Sequence, residues 1–136
     1  MKELIVIRGT KNAGKTTILR YVLEVLLYLG AKLVFYKSYN KVRIFRGDFE
    51  AIVEYNGKRI AICSMGDAPT AVPKHIKKYG GGSEIVITAT CNDSDYTDRI
   101  SQYAPIYIDK AINTNDSPEK QYMDLADFVR KVIAKI

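Results

Sequence analysis

The sequence predicts an α/β protein, a three-layer α/β/α sandwich with a mainly parallel sheet, a central first strand and one antiparallel hairpin strand. Three observations carry this expectation. Strand-like and helix-like segments alternate along most of the chain. The strand-like runs are short and apolar, as in strands covered on both faces. Asn56-Gly57 separates two such runs, and that pair favours a two-residue hairpin turn because both positions need positive φ. At 136 residues the chain fits one domain, residues 1–136.

The elements follow in order. Leu4 to Ile7 is a continuous apolar run bounded by Gly9, a buried parallel strand. Thr16 to Leu29 contains good helix formers without Gly or Pro, and Gly30 stands where a left-handed C-terminal cap belongs. This helix is apolar nearly all round, which predicts either a helix sandwiched between the sheet and the last helix or a dimer contact. Lys32 to Lys37 reads as the second strand, and Glu50 to Tyr55 with Lys58 to Ser64 as the hairpin. Ala71 to Tyr79 is a short helix closed by Gly80-Gly81-Gly82, read as a connector. Glu84 to Thr90 is β-branched and strand-like, Ser94 to Tyr103 a weaker helix, and Pro105 to Ile108 a short strand. Asp116-Ser-Pro-Glu119 offers an acidic N-cap and a first-turn proline, after which Tyr122, Leu125, Val129, Val132 and Ile136 keep helical spacing.

Composition narrows the function classes. Hydrophobic residues make up 47% and charged residues 26%, a globular balance. The net charge of +6 favours an anionic partner. Only four apolar residues run together before Arg8, too few for a signal-peptide core, and the apolar stretch Ile18 to Leu29 is too short to span a membrane. The two cysteines, Cys63 and Cys91, end apolar strand-like runs and fit a reduced, cytoplasmic setting. Their strands are expected to flank the first strand on opposite sides, which leaves the thiols beyond disulfide reach.

The segment Gly9-Thr-Lys11-Asn12-Ala13-Gly14-Lys15-Thr16-Thr17 carries the chemistry. It satisfies G-x-x-x-x-G-K-[ST] and lies between the first strand and the first helix, where backbone N–H groups and the positive helix end can cradle phosphates. Lys15 is expected on the β- and γ-phosphates, Thr16 Oγ on Mg²⁺, and Thr17 on the α-phosphate. These residues resemble the P-loop NTPase superfamily. Residues 1 to 40 are most similar to the branch where Gly-Lys-Thr-Thr precedes a long apolar helix and then Gly30-Ala-Lys32-Leu-Val. That branch holds the signal-recognition GTPases, the ParA-like ATPases and the adaptor GTPase of molybdopterin-guanine dinucleotide synthesis. In the ParA-like loop a lysine directly precedes two glycines, whereas here Lys11 comes one position late and Asn12 and Ala13 replace the glycines. The resemblance implies binding of ATP or GTP with Mg²⁺.

The second acidic site is displaced. Ile60 to Cys63 occupies the place of a Walker B strand, yet Ser64 stands where that strand ordinarily ends in aspartate. Asp67, three residues on and after Gly66, is the candidate metal and catalytic carboxylate beside Lys15, with Asp48 and Glu50 as fallbacks; Asp67 as a cap for the following helix is the alternative. No Asn-Lys-x-Asp follows the later strands, Thr88 to Asp93 lacking the lysine, which favours ATP over GTP.

Between Lys37 and Arg46 lie Lys37, Lys41, Arg43 and Arg46 with interleaved aromatics and no acid. The stretch is either a solvated loop or a contact for nucleic acid or a phosphorylated acceptor. Lys74-His75-Ile-Lys77-Lys78 reads as a solvated helix face, with His75 as surface polarity. The functions expected are NTP hydrolysis, a small-molecule or nucleotide kinase, or a nucleotide-binding regulatory module with little catalysis. A homodimer stays open, and no membrane partner is expected.

Overall fold

The computed structural model describes residues 1–10, 14–64, 68–110 and 115–136. Lys11, Asn12, Ala13 and Asp67 therefore lie outside the described residues. Six strands form one sheet in the order β2-β3-β4-β5-β1-β6. They are β1 (Glu3–Gly9), β2 (Lys32–Ser38), β3 (Phe49–Tyr55), β4 (Lys58–Cys63), β5 (Ile85–Thr90) and β6 (Ile106–Lys110). β4, β5, β1 and β6 pair in parallel, while β3 runs antiparallel to both β2 and β4. The architecture is the α/β sandwich with one antiparallel hairpin strand that the sequence predicts.

Alternation along the strands sends two sets of side chains to two faces. Ile5 and Ile7 of β1, Ile60 and Ile62 of β4, and Ile85 and Ile87 of β5 pack with helices α1 (Lys15–Tyr28) and α4 (Pro118–Ala134). Leu4, Val6, Ala61, Cys63 and Val86 face the other way, onto α2 (Ala71–Tyr79) and Ile100. In α1, Ile18, Leu19, Val22, Leu23 and Leu26 are buried between the sheet and Phe128, Val129 and Val132 of α4. Each fully buried aliphatic side chain there contributes about 1.5–3 kcal/mol. The apolar circumference of α1 is thus accounted for largely by packing within the chain, although Tyr21, Tyr28 and Leu29 stay exposed.

Local signals act as the sequence implies. Asn56 and Gly57 take φ of 50° and 73°, the two positive values of a tight hairpin turn, and Tyr55 pairs with Lys58 across it. Helix α1 ends on Gly30 at φ 101°, with Gly30 N–H donating to Leu27 O and Ala31 N–H to Leu26 O. Helix α4 starts one residue later than expected: Ser117, not Asp116, is the N-cap, its Oγ accepting from Lys120 N–H at 3.2 Å, with Pro118 first in the helix. The segment 94–103 is broken into a short α3 (Ser94–Thr97) and a single 3₁₀ turn (Ser101–Tyr103), because it has little apolar surface to bury.

Two expectations are corrected. The strands that precede Cys63 and Cys91 do not flank β1 on opposite sides: β5 lies between β4 and β1, and Cys63 is opposite Thr88. Parallel strands joined through helices leave their neighbours unspecified in sequence. Both cysteines are free, as expected, though for a different geometric reason. His75 is not surface polarity. It is 5% exposed, on the buried stripe of α2 with Val72, Ile76 and Tyr79. The lysines at 74, 77 and 78 do face outward.

Candidate phosphate and metal site

The strand ends β1, β4 and β5 and the start of β3 meet at one edge of the sheet, where α1 begins. Gly14 precedes α1 with φ 81° and ψ 20°, a left-handed conformation that suits glycine. No atom lies within 4 Å of a Cβ placed there, so the backbone angle and not lack of space requires the residue. From this turn Lys15 folds back into the loop. It is 7% exposed, and its ammonium donates to Gly9 O and Thr10 O at 2.9 Å each, with Cys91 Sγ at 3.9 Å. Cys91, read in sequence as a small hydrophobe closing a strand, is therefore a neighbour of the site through the adjacency of β5 and β1. The Cys63 thiol lies apart from Lys15, on the α2 face, where burial pushes its pKa up and keeps it protonated.

The next residue, Thr16, is half-buried and donates from Oγ1 to Asp48 Oδ1 at 3.3 Å. The same oxygen accepts from Ser64 Oγ at 3.1 Å. Ser64 is held in turn by β3: Phe49 N–H donates to its Oγ at 2.8 Å, and Ser64 N–H donates to Phe49 O. The hydroxyl that stands in place of an aspartate at the end of β4 thus orients the aspartate that immediately precedes β3. Of the sequence candidates, Lys15, Thr16 and Asp48 are brought together, and Gly9 and Gly14 frame them. Thr17 is exposed on the first turn of α1.

Glu50, the other fallback, is two residues past Asp48, inside β3, and packs against α2. There it is 4% exposed, accepting from Tyr79 Oη at 2.5 Å and from Lys78 Nζ at 2.9 Å, with His75 Nε2 at 4.0 Å. Burial alone would raise its pKa, but the hydrogen bonds from Tyr79, Lys78 and Tyr39 outweigh it and hold the carboxyl below the usual range. Burial lowers the pKa of His75, whose Nδ1 lies 3.2 Å from Thr88 Oγ1. This cluster anchors α2 to the sheet and is not aimed at Lys15.

Over the site runs the loop from Tyr39 to Asp48. Arg20, one turn into α1, donates to Gly47 O at 2.8 Å and Tyr36 Oη at 2.9 Å and lies over the Phe49 ring at 4.6 Å. A cavity of about 460 Å³ opens between Thr16, Thr17 and Arg20 on α1 and Phe45 and Arg46 of the loop. The apolar groove between α1 and α4, about 480 Å³, has no carboxylate and no lysine in its lining.

The donor set at Thr16 and Asp48, a hydroxyl and a carboxylate, has the hard oxygen chemistry of Mg²⁺. Among the described residues no three His, Cys, Asp or Glu side chains gather as a metal-binding group. No helix among the described residues is long and apolar enough to cross a membrane. In comparisons with protein-family models, curated proteins and solved structures, nothing matches this chain.

Proposed function

We propose that this chain binds a nucleoside triphosphate with Mg²⁺ at Gly9 to Thr17 and hydrolyses it, ATP being favoured over GTP. One observation carries the reading: beside a buried Lys15, the hydroxyls of Thr16 and Ser64 converge on one carboxylate oxygen of Asp48. A lysine, a hydroxyl and a carboxylate at the start of a helix are the protein groups that phosphoryl transfer requires, since it depends on positioning and charge neutralisation.

Lys15 would leave the carbonyls of Gly9 and Thr10 to meet the β- and γ-phosphates. Thr16 would ligate Mg²⁺, and Asp48 would hold a water of its shell. Bound there, the ion supplies charge neutralisation on the phosphate oxygens. Asp67 remains the proposed residue to orient the attacking water. Hydrolysis breaks the bond from the γ-phosphorus to the bridging oxygen, which leaves on the nucleoside diphosphate, while water adds its oxygen to phosphorus and its proton is released to solvent. The free, buried thiols suit a cytoplasmic setting. A second reading, transfer to a small acceptor, draws on the cavity beside Thr16 and Thr17 with Arg46 at its rim.

The test is nucleotide binding and phosphate release with ATP or GTP and Mg²⁺, comparing the wild type with Lys15→Ala. Binding by the wild type and its loss in the variant are expected. If neither nucleotide binds the wild type, the reading fails, and transfer of label to a small acceptor in place of phosphate release would select the kinase.

A further inference from the structure

The loop beside the site is held by hydrogen bonds to its backbone while several of its large side chains stay exposed, Phe45 and Arg46 along the cavity they share with Thr16 and Thr17. Asn40 Oδ1 accepts from the N–H groups of Val42 and Arg43 at 3.1 and 2.9 Å, and Arg46 N–H donates to Arg43 O. Tyr39 N–H donates to Asp48 O, Tyr36 Oη donates to Ile44 O, and Arg20 clamps Gly47. With its backbone fixed in this way, a solvated loop would be expected to turn its apolar groups inward. Here Val42 is 90% exposed, Phe45 74% and Ile44 50%. Among the described residues, Lys37, Lys41, Arg43 and Arg46 are exposed and none forms an ion pair. The acid that closes the loop, Asp48, is turned in to Thr16 and Ser64.

We propose that the segment Lys37 to Arg46 is a docking platform for single-stranded nucleic acid, with the phosphates on Lys37, Lys41, Arg43 and Arg46 and a base stacked on Phe45. Within the segment the charge is one-sided, four cations against no outward carboxylate, and the carboxylate lining the cavity beside Phe45 and Arg46 is Glu24 of α1. The ring distinguishes a single strand from a duplex, because only an unstacked base offers its face. The loop also presents no helix or strand ribbon of the kind that enters a major groove. The order of the loop lowers the entropy cost of docking. The platform does not rest on the triphosphate reading, for the oligonucleotide is added without nucleotide and the two can fail separately.

The experiment is fluorescence anisotropy of labelled dT₁₂ and rU₁₂ with the full chain across a salt series. Four phosphate contacts on a single strand predict a slope of log K against log salt of about −2.8, falling to about −1.4 in Lys41→Ala/Arg43→Ala. Phe45→Ala should weaken binding about tenfold at constant salt, with Phe45→Trp restoring it and both variants melting like the wild type. Binding of either oligonucleotide with these responses supports the proposal. Four outcomes overturn it: no binding of either strand at low salt, equal or tighter binding of a duplex of the same length, no effect of Phe45→Ala, or a preference for vesicles of anionic lipid over the oligonucleotides.

Discussion

Asp48→Asn separates a metal-side role for this residue from a structural one. The asparagine keeps an oxygen where Thr16 Oγ1 and Ser64 Oγ now donate, at 3.3 and 3.1 Å, and removes only the charge. Asp48 is half-buried, so weakening two hydroxyl bonds to a charged acceptor into bonds to a neutral one should cost less than about 1 kcal/mol of stability. A carboxylate that holds a water of a metal shell matters more to the metal: its loss weakens binding about 10–100-fold, or roughly 1.4–2.7 kcal/mol. The assay is titration of Mg²⁺ into the protein with a fluorescent ATP analogue, alongside a urea melt. The expected result is a shifted Mg²⁺ midpoint with an almost unchanged melt. An unshifted midpoint refutes the reasoning, and a shift produced by Asp67→Asn alone returns the role to Asp67.

Glu50→Ala should destabilise by about 2 kcal/mol in urea, because the buried Tyr79 hydroxyl loses its acceptor while the exposed Lys78 turns to water; a change under about 0.5 kcal/mol would contradict the anchoring role. The pH dependence follows from two groups. His75 is held below its usual 6.5, so the unfolded chain binds more protons and stability falls as pH drops from 6.5 toward the folded value. Glu50 is held below its usual 4.5, so its contribution is present above 4.5 and lost as pH falls through the lower folded value. His75→Gln should therefore lose less stability than the wild type between pH 7 and 5, and equal losses would count against a neutral buried imidazole. Gly30→Ala should cost about 1–2 kcal/mol, since a side chain at φ 101° is strained even with open space around it; melting temperature reads this out.

The strand and helix elements were legible wherever a local signal decides them. Gly9 to Thr17 marks the first crossover, Asn56-Gly57 the hairpin, and Gly30 the end of α1. Strand order was not legible, because nothing local tells β4 that β5 will insert between it and β1. At the candidate site, the motif pointed to Lys15 and Thr16, and the fold brings them to one place beside Asp48. Asp67, the first candidate for its carboxylate, lies outside the described residues, and Asp48, the fallback, is carried to Ser64 by the hairpin: a two-residue turn that sets Tyr55 opposite Lys58 also sets Glu50 opposite Cys63. His75 was misplaced because its charge pattern was weighed above its spacing, three residues from Val72 and four from Tyr79.

The Asn56-Gly57 turn sits about 25 Å along β3 from Asp48, at the far end of the sheet. It acts as a gauge for the carboxylate, because the pleat reverses facing at every residue. Adding one residue to the turn and letting β3 slip would exchange Asp48 and Phe49 opposite Ser64 and turn Glu50 from the α2 side toward α1. A surface bend far from Lys15 would then decide whether Asp48 meets Thr16 and Ser64, and on the proposed reading an insertion there would shift the Mg²⁺ midpoint while leaving Lys15 in place.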